Sequence, residues 1–327
     1  MKRIVIVGLV VTGAGLGIAT HAQSPLRPVA AIPLPNVSGR IDHLAFDAKR
    51  QRLFVAALGN DTLEVLDTAK GVHQRSVPGF HEPQGLAVIA DLNAVAVANG
   101  GTGTLQLVDA ESLQTRWTVP VGGDADNVRY DAAAKRVYVA AEGGLFALDP
   151  ASGRAVERIP IAGHPESFQL EAKATRVFAN LPGATQVIVG DRRTMAVLAR
   201  WPTHGCGRNY PMALDEPTNR LFIGCRSPAS LSEIDAASGN AVASVPTVGD
   251  TDDLFYDAAR RRVYVIGGEG FVDVVERNGD ALRRVAQAAT RDGARTGLWV
   301  ADQNRLYVAV PARRSQPAEV RVFEPQN

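Results

Sequence analysis

Hydrophobic and polar positions along the chain form short apolar runs broken by clusters of Asp, Gly, Ala and Arg, a texture that predicts strands and turns rather than helices. The pattern repeats. "DNVRYDAAAKRVYVAA" from Asp126 and "DDLFYDAARRRVYVIG" from Asp252 are nearly one sequence, 126 residues apart, or three times 42. Five further copies start at Asp42, Gln84, Glu166, Tyr210 and Arg295, so that successive starts are 42, 42, 40, 44, 42 and 43 residues apart. Each copy reads as two apolar strands around a turn, then a third strand such as Thr62 to Asp67 and a fourth such as Arg158 to Gly163. Four strands in about 42 residues predict the blade of a β-propeller.

The expected fold is therefore all-β: a seven-bladed β-propeller with four-stranded antiparallel blades. Pro78, Pro120, Pro160, Pro202 and Pro246 recur in the fourth strand, which suits an outermost edge because proline cannot donate a ladder hydrogen bond. The last copy stops without a fourth strand. "VAAIPLP", Val29 to Pro35, resembles "VASVPTV" and is expected to complete that blade, closing the ring. The domain reading is a leader over 1–22 and a single propeller over 23–327.

At "VYVAA" (Val137 to Ala141) and "LFVAA" (Leu53 to Ala57) the chain resembles the YVTN-repeat, YncE-like family of seven-bladed, WD40-like propellers. The resemblance runs from about Val29 to Glu324. It implies the fold and an exported protein, and it hands over no agreed catalytic residue.

The repeats also separate architecture from chemistry. Five residues into a copy stands an acid in five of seven cases (Asp47, Asp131, Glu171, Asp215, Asp257), and ten residues in stands Arg in six (Arg52, Arg136, Arg176, Arg220, Arg262, Arg305). These flank the first turn, where Asp favours the bend and Arg can pair with it. The loop entering each copy differs from blade to blade. It brings Arg40, Asp42 and His43; Glu82, Gln84 and Gly85; Asp124, Asp126 and Asn127; His164, Glu166 and Ser167; Arg208, Tyr210 and Pro211; Asp250, Asp252 and Asp253; Gly293, Arg295 and Thr296 to one mouth of the channel. Eight of these twenty-one are acidic, where 34 in 327 overall gives about two. Asp250, Asp252 and Asp253 crowd within four residues and must be relieved by a cation, a proton or solvent. Asn60, Asn99, Glu142, Asn180, Arg226 and Glu269, between second and third strands, are expected as a second polar ring.

Two functions fit. The first is a binding module whose mouth takes a small polar molecule, a metal ion or a protein partner, with Asp42, Gln84, Asn127, Tyr210, Asp250, Asp253, Arg226 and Glu269 as contacts. It draws on the absence of GxSxG, HExxH and reactive-cysteine motifs. The second is a metal-assisted enzyme of lactonase or lyase type. Asp126, Glu166 and Asp252 would hold Ca²⁺ or Mg²⁺, His43 or His164 would move a proton, and Arg295 would grip a carboxylate or an enolate. Electron transfer has no CxxCH to support it.

Composition narrows the setting. A net charge of +1 over 327 residues, with no long basic run, gives no footprint for nucleic acid. Lys2 and Arg3, the apolar run Ile4 to Ala19 and the small residues ending at Ala22 read as a secretory leader, too short to span a bilayer. "VTGAGLG" inside that run has no crossover unit after it and is not a dinucleotide turn. The mature protein is expected to begin at Gln23 and to be periplasmic or secreted, monomeric and not membrane-inserted. Cys206 and Cys225, the two cysteines, are then expected to be joined.

Overall fold

The computed structural model describes residues 25–326, so the leader lies outside the described residues. Among the described residues twenty-eight strands form seven separate four-stranded antiparallel sheets, the blades of one propeller. Blade 1 runs outward through Leu44–Asp47, Arg52–Ala57, Thr62–Asp67 and Val72–Pro78. The innermost strands of blades 2 to 6 are Pro83–Ile89, Val128–Asp131, Phe168–Leu170, Gly207–Asp215 and Thr251–Asp257. Among the described residues no helix is long and apolar enough to cross a membrane.

Burial follows position within the blade. The second strand is covered on both faces by neighbouring blades, so it reads as a continuous apolar run. In Arg52–Ala57 and Arg136–Ala141 every residue after the arginine is buried. Blade-to-blade clusters form the core. Phe54, Leu63 and Val65 of blade 1 pack with Leu86, Val95 and Val108 of blade 2, each buried side chain contributing about 1.5–3 kcal/mol. The outer strands, such as Ala196–Pro202, alternate exposed and half-buried residues, and the five recurring prolines each end one.

Blade 7 consists of Gly297–Val300, Arg305–Val310 and Ala318–Pro325, completed by Leu26–Leu34 as its outer strand. The closing strand begins three residues before the expected Val29. Leu26 opposite Pro325 is buried with Tyr264, Leu306 and Phe323, and this anchor extends the pairing. Cys206 and Cys225 are joined, their Cα atoms 5.2 Å apart, in blade 5.

The repeated acids hold turns. Asp47 Oδ1 accepts the backbone N–H groups of Lys49 and Arg50, and Asp257 Oδ1 those of Ala259 and Arg260. The arginine of the repeat departs from expectation. It pairs with its own acid only in blade 4, Arg176 with Glu171. Arg52 donates to the carbonyl of Ala110, Arg176 also to that of Ala236 and Arg262 to that of Gln326, each in the next blade. Its long stem lets it bridge blades instead of bracing one turn.

Candidate functional site at the channel mouth

At the entrance to the inner strands two residues oppose one. Asp42 donates its N–H to the Ala56 carbonyl, and the Ala56 N–H returns to His43; Asp126 and Asn127 face Ala140 in the same way, and Glu166 and Ser167 face Asn180. Gln84 and Gly85, Tyr210 and Pro211, and Asp252 fall in register shifts of their strands. Such bulges re-aim side chains and are common beside functional sites. Here they turn a row of strand residues into a ring at the channel mouth. Just before it, Glu82, Asp124, Arg208 and Asp250 adopt left-handed backbone conformations (φ 47° to 53°), which non-glycine residues seldom adopt without a structural demand.

The ring encloses a cavity of about 360 Å³ lined by Gln84, Asp126, Glu166, Tyr210, Asp252 and Arg295, with Arg40, His43 and Arg226 among its other walls. One side is built from guanidinium groups. Arg226 lies over the Tyr210 ring, 3.7 Å from its centroid, donates to the Thr251 carbonyl at 2.8 Å and pairs with Asp252. Arg40 stands 2.7 Å from Asp42 and 3.5 Å from Asp252. Arg295 reaches Asp250 at 3.0 Å and Asp252 at 3.8 Å. Burial pushes the Asp252 carboxyl up, against the pull of Arg226, Arg40, His43 and Arg295.

The other side is acidic. Gln84 donates to Asp124 at 2.8 Å, and His164 lies 2.9 Å from the Asp124 carbonyl and 3.3 Å from Glu166. Burial, then the adjacent Asp126 charge, pushes Glu166 up to about 8, although the His164 hydrogen bond acts against this. Burial also acts to raise Asp126, but the hydrogen bond and charge of His43 hold it at about 2. The two adjacent carboxyls are thus pushed in opposite directions, Asp126 down and Glu166 up. His164 rises to about 9, because contact with Glu166 outweighs its burial.

His43 lies between the two sides. Its Nδ1 is 3.1 Å from Asp253, whose carboxylate also accepts the Gly297 N–H at 2.9 Å; its Nε2 is 3.5 Å from Asp42 and 3.7 Å from Asp126. Burial disfavours the charged ring, yet Asp253 and Asp42 raise it well above 6.5. Asp42, beneath the cavity wall, is pushed up to about 6 by desolvation despite His43 and Arg40.

The acidic run at Asp250 to Asp253 is thus relieved by side chains from other parts of the ring: Arg295 for Asp250, Arg226 for Asp252 and His43 for Asp253. Asp126, Glu166 and Asp252 do not come together as one ligand set. Asp252 is engaged by Arg226, Arg40 and Arg295, apart from Asp126 and Glu166, so the three carboxyls do not converge as ligands for Ca²⁺ or Mg²⁺. Among the described residues, no group of three His, Cys, Asp or Glu side chains could hold a metal ion.

The expected second ring largely serves the fold. Asn180 donates to the carbonyls of Tyr210 and Pro211 and so holds a bulge. Asn99 accepts the His81 N–H, and Glu269 accepts that of Gly249. Among the described residues of that ring only Arg226 lines the cavity; Glu269 does not, and neither does Asp250 of the entering loop. Leu58 joins the lining from a 3₁₀ turn, Leu58–Asn60, without any chemical signal in the sequence.

No family model matches the chain. Part of it, 111 residues or 34% of its length, is 28% identical to the uncharacterized protein YwhL of Bacillus subtilis (strain 168), and the match spans 24% of that relative. Among solved structures, a chain from the mitotic checkpoint complex superposes with a TM-score of 0.77 at 12% identity, covering 100% of this chain and 99% of the other. That likeness concerns the fold. The chain is a seven-bladed β-propeller, an architecture that commonly mediates ligand or protein binding.

Proposed function

We propose that the protein binds a small zwitterionic molecule at the channel mouth, its carboxylate toward Arg40 and Arg295 and its amine toward Asp126 and Glu166. The observation that carries this reading is the division of one cavity into a guanidinium side, gathered around Asp252, and a side lined by the carboxyls of Asp124, Asp126 and Glu166. Its volume of about 360 Å³ falls within the ~300–1,000 Å³ range usual for small-ligand sites. Calorimetric titration with γ-aminobutyrate and L-glutamate tests it. Saturable binding that weakens about tenfold in Arg295→Gln is expected. The reading fails if neither compound binds at millimolar concentration, or if Arg295→Gln binds as the parent does.

The lactonase- or lyase-type alternative retains one favourable observation, His43 fixed by Asp253, whose charge pushes the ring well above its ordinary value and so suits it to act as an acid. Its metal lacks support, because guanidinium groups hold Asp252 apart from Asp126 and Glu166. Membership of the YVTN-repeat, YncE-like family and export to the periplasm or medium belong to the same proposal. Support comes from the strand motifs at Leu53 to Ala57 and Val137 to Ala141, the leader-like Lys2 to Ala22, and the bond between Cys206 and Cys225. Intact mass after expression in a secreting bacterial host tests export: a chain beginning at Gln23 is expected, and soluble protein retaining Met1 to Ala22 contradicts it.

A further inference from the structure

Below the mouth, the channel holds a second cavity of about 460 Å³. His43 and Asp253 stand at its upper end, and Phe46, Tyr130, Phe255 and Trp299 contribute aromatic surface to its walls. Three residues beyond each ring position come Ala45, Ala87, Arg129, Gln169, Ala213, Phe255 and Leu298, and Arg129 alone of these seven carries a charge. A repeat that uses alanine or an apolar residue there has no architectural need for arginine.

Arg129 lines this cavity with few partners. Its one hydrogen bond runs to the carbonyl of the preceding residue, Val128, at 2.9 Å, and its guanidinium carbon lies 5.6 Å from the Phe168 ring centroid. Among the described residues no carboxylate comes within ion-pairing distance of it; Asp253, across the channel, is occupied by His43 and Gly297. Gln169, the other polar group of that layer, is tied to the Met212 carbonyl at 2.7 Å. Burial lowers the Arg129 pKa, outweighing the opposing charges of Asp253 and Asp126, neither of which contacts it. With His43 and Asp253 paired to each other at the upper end, Arg129 is the cation of this cavity without a contacting counter-ion, and apolar walls around such a group make a site for an anion that has an apolar body.

We propose that the lower channel binds an aromatic monocarboxylate, its carboxylate on Arg129 and its ring against Phe46, Phe255 and Trp299. This does not rest on the channel-mouth reading, and the two sites meet only at His43. The test is calorimetric titration of the full mature chain with benzoate and with its neutral isostere benzamide. Benzoate is expected to bind with one-to-one stoichiometry, benzamide about tenfold or more weaker, and Arg129→Gln to lose the preference for benzoate. Arg295→Gln, altered only at the mouth, is expected to leave benzoate binding unchanged. No saturable benzoate binding at millimolar concentration overturns the proposal, as does equal affinity for benzamide. Loss of benzoate binding in Arg295→Gln would assign the ligand to the mouth and overturn it likewise. The benzamide comparison uses the parent protein, so it decides the matter even if Arg129→Gln does not fold.

Discussion

Asp252 and Asp257 lie on one strand, Thr251–Asp257, five residues apart, and their carboxylates have opposite kinds of partner. Asp257 is satisfied within its own blade, by the N–H groups of Ala259 and Arg260, the Arg260 side chain and the Tyr264 hydroxyl. Asp252 is met by Arg226 of blade 5 and Arg295 of blade 7, its two neighbours, and by Arg40 of blade 1, which reaches it only once the ring has closed. The acid repeated in most blades answers to short-range geometry. The one that varies answers to the assembled channel.

The strongest way to break this contrast is to open the ring. Deleting residues 26–34 leaves the strand Ala318–Pro325 as an unpaired edge and separates the blades whose side chains meet at Asp252. A melting temperature lower by about 10 °C or more is expected, together with loss of mouth binding. A truncated chain that melts with the parent would show that Asp252 needs no closed ring. Next in size, Asp257→Ala is expected to cost about 2–4 kcal/mol in denaturant unfolding, because it strands two turn N–H groups and a buried hydroxyl. Binding at the mouth should persist; a thermally unaltered variant would remove the turn from the comparison.

Changing pH sharpens it further. Glu166 and His164 have folded-state values raised to about 8 and about 9, from ordinary values of 4.5 and 6.5. With raised values the folded state binds these protons more tightly than the unfolded chain. The stabilisation is therefore full below the ordinary values, falls as pH rises past 4.5 for Glu166 and 6.5 for His164, and is gone above about 8 and about 9. Asp126, held at about 2, behaves oppositely and loses its contribution only as pH falls toward that value. Stability should thus decline by about 1–2 kcal/mol between pH 7 and 9, with Glu166→Gln flattening the decline. A parent curve level across that window contradicts the upward shift of Glu166 and His164. The smallest effect on folding is expected from Asp252→Asn, about 1 kcal/mol, since the amide still accepts from Arg226. Freed of their shared charge, Arg40, Arg226 and Arg295 lose their common orientation, so γ-aminobutyrate affinity should fall about tenfold by calorimetry. Unchanged affinity would place the ligand elsewhere.

Blade count, strand order and the closing strand were legible because copies about 42 residues apart must stack alike. The ring was legible for a related reason: Asp42, Asp126 and Asp252 stand where the copies disagree. Charge pairing was not. Nothing in a local window shows that Arg226 will sit over Tyr210, or that Asp250 will turn toward Arg295, since these contacts join different blades. Asn180 looked like a rim ligand and proves to hold the Tyr210 bulge, a role set by backbone carbonyls that a sequence does not display. Arg129 carried a usable signal, a lone charge in a sevenfold column, which shows only when the column three residues past the ring is read across all copies.

The closing strand also governs how the molecule answers to force. Leu26 pairs with Pro325, and the Gln326 N–H donates to the Pro25 carbonyl, so the described ends of the chain lie side by side at one end of an antiparallel ladder. Tension applied to those two ends loads that ladder in peeling rather than in shear. Its bonds are met one after another from Leu26 toward Leu34, and the propeller has a built-in place to come open, at blade 7.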